Sequence, residues 1–218
     1  MQLDEPVRTV LIADDHPLVR AGLVAAVAHA LAPERLLEAE DFPETLEQAT
    51  TAEDLDLIVL DLRMPGAQGL SGLMMLKAMR PEAPVLVCSG VAEKRVIAAA
   101  SAVGASGFVS KSASPDEIEA TLIAVMNGEA PGLPAPEASA ETKDFAARIR
   151  ELSPQQFRVM SLIGDGLLNK QIAHEMGLSV STVKGHVTEL LRKLNIPRRT
   201  MLIAALRDFS LDEDEFQL

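Results

Sequence analysis

Residues 57–66 read LIVLDLRMPG: four large aliphatic side chains in a row, an aspartate, and soon after it a Pro-Gly turn. A short apolar run without alternation is a strand covered on both faces, as in a parallel sheet. Three further stretches repeat the arrangement: VLIADDHPLVRAGL over 10–23, VLVCSG over 85–90 and GASGFVSKS over 104–112. Strands are therefore expected at 9–13, 36–38, 57–60, 85–88 and 107–109. Between them, helical periodicity predicts helices near 17–30, 43–50, 69–79, 93–101 and 115–127. Ser114-Pro115-Asp116-Glu117 is a capping box with proline at the first helical position. Five strand–helix units predict an α/β domain with a doubly wound parallel sheet and right-handed crossovers.

The polar residues fall where such a sheet binds ligands, outside the carboxyl ends of its strands. The first strand runs into Asp14 and Asp15, the third into Asp61, the fourth into Ser89, and Lys111 follows the fifth. In the strand order 2-1-3-4-5 the first and third strands are neighbours, so three carboxylates converge. Like charges that close raise one another's pKa unless a cation joins them. Oxygen-only ligands, with no spare His or Cys, favour a hard ion, Mg²⁺ with several retained waters. Lys111 adds an ammonium and Ser89 a hydroxyl, a set suited to phosphoryl transfer onto Asp61.

Across about 120 residues these fragments resemble the receiver domain of two-component response regulators, a flavodoxin-like (βα)5 fold. Carried over residue by residue, the resemblance makes Asp61 the phosphoacceptor. It makes Asp15 and Asp61 direct Mg²⁺ ligands and Asp14 an outer one, with the backbone carbonyl of Arg63 completing the protein's share. Ser89 and Phe108 match a switch pair, and Lys111 the lysine that faces the phosphoryl group. Gly90 departs from the pattern, which more often has alanine there. No second carboxylate stands two residues beyond Asp61, so the site lacks the acid/base group of an aspartyl-phosphate phosphatase, and the chain reads as no enzyme.

The formal charge of −12 over 218 residues hides a division. Residues 1–128 carry 19 acids against 9 bases, while 151–207 carry 4 against 8, a net +4. The last eleven residues hold 5 acids and no base. A basic segment between acidic ones points to a nucleic-acid-binding part. Asn127–Ala140, NGEAPGLPAPEASA, has three prolines and two glycines and reads as an extended, semi-rigid linker. Phe145, Ile149 and Leu152 then fall at helical spacing, predicting a short helix. The expected layout is a receiver at 1–128, linker at 129–150, DNA-binding domain at 151–210 and acidic tail at 211–218. That tail reads either as a solvated end or as a screen over the basic domain.

Cys88 is the only cysteine, which excludes an internal disulfide framework and a multi-thiolate zinc site; it reads as a buried strand residue. With no Trp or Tyr and only six Phe, the composition argues against a base-stacking platform for single strands. No apolar run approaches the roughly 18 residues of a membrane helix. The acidic start MQLDEPVRTV lacks a secretory core, so a cytoplasmic location is expected.

From Leu152 the pattern is helical. Ser153-Pro154-Gln155-Gln156 is a second capping box, opening a helix to about Ile163. Helices follow at 169–176, 180–194 and 199–208, the second and third joined by the short turn Gly177-Leu178-Ser179. That pair is a helix-turn-helix candidate. In its longer helix Val180, Val183, Val187, Leu190, Leu191 and Leu194 form an apolar stripe expected to face the core. Ser181, Lys184, Gly185, Thr188 and Arg192 form a polar face, with Glu189 off it. Such a profile suits a recognition helix in the major groove. Lys170, Thr182 and Lys193 are placed for phosphates, and His186 for packing or capping.

LSPQQFRVMSLIGDGLLNKQIAHEMGLSVSTVKGHVTELLRKLNI, residues 152–196, resembles the LuxR-type DNA-binding domain of NarL/FixJ-class regulators. The resemblance implies base contacts from Lys184, Gly185 and Thr188. Gln155-Gln156 replaces a commoner Arg-Glu pair, and Gly185 a larger side chain. Together the two resemblances imply a transcription factor phosphorylated by a sensor histidine kinase, binding double-stranded DNA as a homodimer. The alternative is a regulator acting mainly through protein contacts, with DNA binding secondary.

Overall fold

The structure is a computed structural model that describes residues 7–90, 92–134, 148–149, 151–164 and 166–207. Its first unit runs β1 (Thr9–Ala13), α1 (Pro17–Leu31), β2 (Arg35–Ala39), α2 (Phe42–Thr51), β3 (Leu57–Leu60), β4 (Arg63–Met64), β5 (Ala67–Gln68), α3 (Ser71–Met79), β6 (Val85–Ser89), α4 (Lys94–Val103), β7 (Gly107–Ser110) and α5 (Pro115–Met126). Five strands form one parallel sheet in the order β2-β1-β3-β6-β7. This is the expected topology, and it puts β1 and β3 side by side.

Alternate residues of the buried strands feed two cores. Val10, Ile12, Leu57, Val59, Leu86 and Cys88 pack beneath α1 and α5 through Leu23, Val27, Leu122 and Val125. Leu11, Ile58, Leu60, Val85, Val87 and Phe108 meet Phe42, Leu73, Leu76, Val96 and Ala100 from the opposite helices. Covering both faces explains why LIVL shows no alternation: each of its side chains is buried.

Element ends differ from the expected ones by one or two residues, with one substantive change. The helix expected from 69 begins at Ser71, because residues 63–68 form a small antiparallel hairpin, β4–β5. Its turn is Pro65-Gly66, with Gly66 at φ +89°, a conformation that favours glycine. A Cβ at Gly66 would stand 2.5 Å from the Pro43 ring, so the hairpin lies directly on the start of α2.

The expected linker also behaves differently at its start. After α5 the chain turns at Gly128 (φ +79°) and runs back along β7, the edge strand. The Phe108 amide donates to the Pro131 carbonyl at 2.9 Å, and Leu133 packs on the core. Gly132, at φ +72°, lies so close that a Cβ would stand 2.1 Å from the Phe108 carbonyl oxygen. Residues 128–133 are therefore a strap on the sheet edge rather than free tether. Of the short helix expected around Phe145–Leu152, residues 148–149 are helical and Ile149 and Leu152 are buried, while residues 145–147 and 150 and the whole acidic tail lie outside the described residues.

The second unit comprises α6 (Pro154–Gly164), α7 (Asn169–Glu175), α8 (Val180–Leu194) and α9 (Arg199–Arg207). α8 packs on α6 and α7, and α9 on α6, around Phe157, Met160, Ile163, Ile172, Val183, Leu190 and Leu202. The Ser153 box is present: the Gln156 amide donates to Ser153 Oγ at 3.2 Å and the Ser153 amide to Gln156 Oε1 at 3.0 Å. Ser179 caps α8 by accepting from the Thr182 amide at 3.0 Å. Asn195, in the left-handed region at φ 54°, ends it. Val180 departs from the expected core stripe. It sits in the first turn of α8 and is 40% exposed, because the packing partners on α6 and α7 begin one turn later, at Val183.

Candidate functional site

Because β1 and β3 are adjacent, their carboxyl ends deliver Asp14, Asp15 and Asp61 to one place. One ligand atom from each of these, and one from His16, lie within 4.8 Å of one another. Asp14 is fully buried and Asp61 nearly so, whereas Asp15 is half-buried. The loop after β7 brings Lys111 over them, its main chain pinned by donation from the Lys111 amide to the Ser89 carbonyl at 3.0 Å. The Lys111 ammonium stands 2.7 Å from Asp61 Oδ2 and 2.7 Å from Asp14 Oδ2.

The two contacts are unequal. The one to Asp61 is a well-directed hydrogen bond, whereas Asp14 Oδ2, though equally close, accepts no directed bond. Asp14 Oδ1 accepts from the His16 amide at 2.8 Å. Lys111 already neutralises part of the charge at Asp14 Oδ2, and the remaining clustered carboxylate oxygens are the hard donors a divalent cation takes. The donor set therefore fits a divalent metal ion.

Burial pushes the Asp61 carboxyl above its ordinary range; the Lys111 bond and charge and the Arg63 amide oppose this, while Asp14 adds to it. For Lys111 burial works downward, but the bonds and charges of Asp14 and Asp61 carry its pKa above the usual lysine value. Each partner favours the charged form of the other, against the burial that opposes it. Cys88, just behind the site, is pushed up to about 12 by burial and is inert wall.

Ser89 ends β6, fully buried beside Ser110 in the sheet register, and Phe108 is buried on β7 opposite Val87. Arg63 is exposed in β4; its amide, rather than its carbonyl, is the group that bonds Asp61. Two residues at the site escaped the reading from sequence. His16 stands at the rim with Nδ1 2.7 Å from Asp15 Oδ1, so a histidine does lie beside the carboxylates, contrary to the expectation of no spare His; its place directly after the Asp pair was the available signal. Arg20 lies buried beneath the β1–α1 turn, and its signal was a charge on the apolar stripe with Leu23, Val27 and Leu31.

On the second unit, Ser181, Thr182, Lys184, Gly185, Thr188 and Arg192 lie exposed along α8, and Lys170 is exposed on α7. The Ser181 and Thr182 hydroxyls gather around Ser179 Oγ at 2.7 and 2.8 Å, and Thr188 donates to the Lys184 carbonyl at 3.0 Å. Glu189 does reach the polar face: Arg192 Nε donates to it at 2.9 Å, one turn away. Lys193 is half-buried and donates to the Glu151 carbonyl at 2.7 Å and to Gln156 Oε1 at 2.9 Å, closing the start of α6. Arg199 similarly braces the start of α7 through Asn169 Oδ1 at 2.8 Å. His186 is half-buried.

Residues 10–123 match the response regulator receiver domain, and residues 150–206 match the bacterial regulatory proteins of the luxR family. The chain is 34% identical over 209 residues to the glycerol metabolism activator of Pseudomonas putida, covering 91% of this chain and 95% of that one. It is 31% identical over 212 residues to the nitrate/nitrite response regulator protein NarL of Escherichia coli, covering 91% and 94%. Among solved structures, RcsB from Salmonella enterica serovar Typhimurium, bound to promoter P1flhDC with the phosphomimetic BeF3⁻, aligns over 92% of this chain and 98% of that one. The TM-score is 0.53 at 23% identity, a likeness of fold. No helix among the described residues is long and apolar enough to cross a membrane. With both family matches in sequence order and relatives aligned along nearly their whole length, the chain belongs to the NarL-like response regulators, regulatory proteins in which a receiver domain precedes a LuxR-family helix-turn-helix domain.

Proposed function

We propose that the chain is a DNA-binding transcription factor of the cytoplasm, switched by phosphorylation of Asp61. The observation that carries this reading is the Lys111 ammonium held 2.7 Å from Asp61 where the carboxylates of Asp14 and Asp15 converge. In this reading a sensor histidine kinase presents a phosphohistidine. An Asp61 oxygen forms its bond to phosphorus as the P–N bond breaks, and the histidine nitrogen keeps the electron pair. Mg²⁺, held by Asp14, Asp15, Asp61 and the Arg63 carbonyl, supplies charge neutralisation at the transferring oxygens. Lys111 favours the ionised form of Asp61, the state in which a carboxylate is a nucleophile, and then faces the phosphoryl group.

Ser89 donates its hydroxyl to the new phosphoryl group and Phe108 follows the space it leaves, biasing a two-state surface. The response is dimerisation and release of the DNA-binding unit, with two α8 helices about one DNA turn apart. Lys184, Gly185 and Thr188 read base edges, with Ser181 and Arg192 beside them. Lys170, Thr182 and Lys193 meet phosphates. Receiver, linker, DNA-binding domain and tail divide at 128, 150 and 210.

Treating the natural protein and Asp61→Asn with acetyl phosphate and Mg²⁺ tests the reading by mass spectrometry and DNA binding. The natural protein gains a phosphoryl group and DNA affinity and the variant gains neither. An Asp61→Asn protein whose DNA affinity still rises would refute the switch.

A further inference from the structure

The β1–α1 turn carries two of the three acids of the site, and what fixes that turn is a residue outside the site. Arg20 is about one-tenth exposed, buried on the inner face of α1, and its guanidinium is used on three sides. Nη1 donates to the main-chain carbonyl of Asp14 at 2.8 Å, Nη2 to Glu40 at 2.6 Å, and Nε to Glu38 at 3.2 Å. Glu38 and Glu40 are two apart, so they project from the same side of the chain at the end of β2. They compensate a cation that would otherwise be costly to bury. The acids are largely exposed and reach inward to Arg20, so the fork draws β2, α1 and the Asp14 peptide together.

We propose that Arg20 is a positioning residue for the metal site, acting through the Asp14–Asp15 peptide. The carbonyl it holds belongs to the peptide joining the two acids, and the Asp14 amide is fixed on the other side by donation to the Ala39 carbonyl at 3.1 Å. With both ends of Asp14 pinned, the directions of its carboxylate and of Asp15 are set before any cation arrives. A planar fork can bond three acceptors along fixed directions; an ammonium in its place cannot span them. The assignment rests on the reading above that this site takes Mg²⁺ and a phosphoryl group.

The test compares the natural full-length chain with Arg20→Gln and Arg20→Lys. Mg²⁺ alone is titrated by calorimetry and by its effect on Tm, and the rate of phosphorylation by acetyl phosphate is followed against Mg²⁺ concentration. Loss of a group that orients metal ligands typically weakens metal binding by about 10–100-fold. Arg20→Gln is therefore expected to raise the Mg²⁺ dissociation constant by that factor and to move the half-saturating Mg²⁺ for phosphorylation with it. The rate at saturating Mg²⁺ recovers to within a few-fold. Arg20→Lys, which keeps the charge and serves if Arg20→Gln does not fold, is expected to be weakened at least about 5-fold, because charge without the fork is insufficient. A purely structural role would lower Tm and leave the dissociation constant alone. Mg²⁺ affinity within twofold of the natural protein in either folded variant overturns the assignment. If the natural protein itself neither binds Mg²⁺ nor is phosphorylated, the underlying reading fails, a result separable from the first because it appears without any substitution.

Discussion

The strand-end site and the outer face of α8 spend charge in opposite ways. At the strand ends, Asp14 and Asp61 are buried and already paired with the half-buried Lys111. Along α8 the polar groups face water, and their hydrogen bonds are short-range ones within the helix. Burying an ion costs several kcal/mol unless its partner is in place, so the first site must be assembled by folding itself. An exposed lysine costs little to keep waiting, so the second can be completed by its partner. In general, chemistry on a single transferring group needs the first arrangement, and docking on a large polyanion tolerates the second.

The contrast can be broken most decisively at Lys111. If the buried ammonium is part of the reacting site, Lys111→Ala lowers the rate of acetyl-phosphate phosphorylation by about 10²–10³, the usual cost of one preorganised electrostatic group. Mass spectrometry over time measures this, and a rate within tenfold of the natural one would mean that the pairing is only structural. On the exposed side, Lys184→Ala should leave the melting curve unchanged and cost about 1–3 kcal/mol of discrimination between operator and random DNA. Lys193 sharpens the comparison because it straddles the two regimes. Its bonds to Glu151 and Gln156 predict that Lys193→Ala destabilises the second domain by about 1–2 kcal/mol, visible in chemical denaturation. The smallest effect belongs to Gly185. A Cβ there meets nothing within 4 Å, so Gly185→Ala should stabilise α8 by up to about 1 kcal/mol. Loss of DNA affinity in that more stable protein would locate the reason for glycine in the complex rather than the fold.

The sheet was legible because its signals are local and redundant. A strand such as LIVL, buried on both faces, needs no partner to be recognised, and each polar strand end follows directly from where the apolar run stops. Convergence of Asp14, Asp15 and Asp61 followed once the strand order 2-1-3-4-5 was taken, whereas the reach of Lys111 from the edge strand β7 needed the structure or the family resemblance. Features set by side-chain reach were not legible. Lys193 meets Glu151 because a long flexible side chain reaches a neighbour outside its own helix, which no helical wheel shows; the Arg192–Glu189 pair, at i,i+3 spacing, was in the sequence but was passed over. His16 was passed over because an imidazole beside carboxylates becomes a candidate donor only once the turn geometry is known. Val180 was misplaced for a related reason: periodicity gives a face, but only the partner helices say how far along that face the contact extends.

The strap along β7 has a mechanical consequence. With residues 128–133 laid on the sheet edge, the span left to bridge from residue 134 to the helical residues at 148 cannot exceed about 50 Å, at 3.3–3.6 Å per residue. Lifting the strap off Phe108 would add roughly 20 Å to that leash. A tethered domain samples a volume that grows steeply with leash length, so its local concentration near the receiver falls accordingly. Gly132 and the Phe108 amide thus fix the starting point of that leash, and one short hydrogen-bonded segment sets its greatest length.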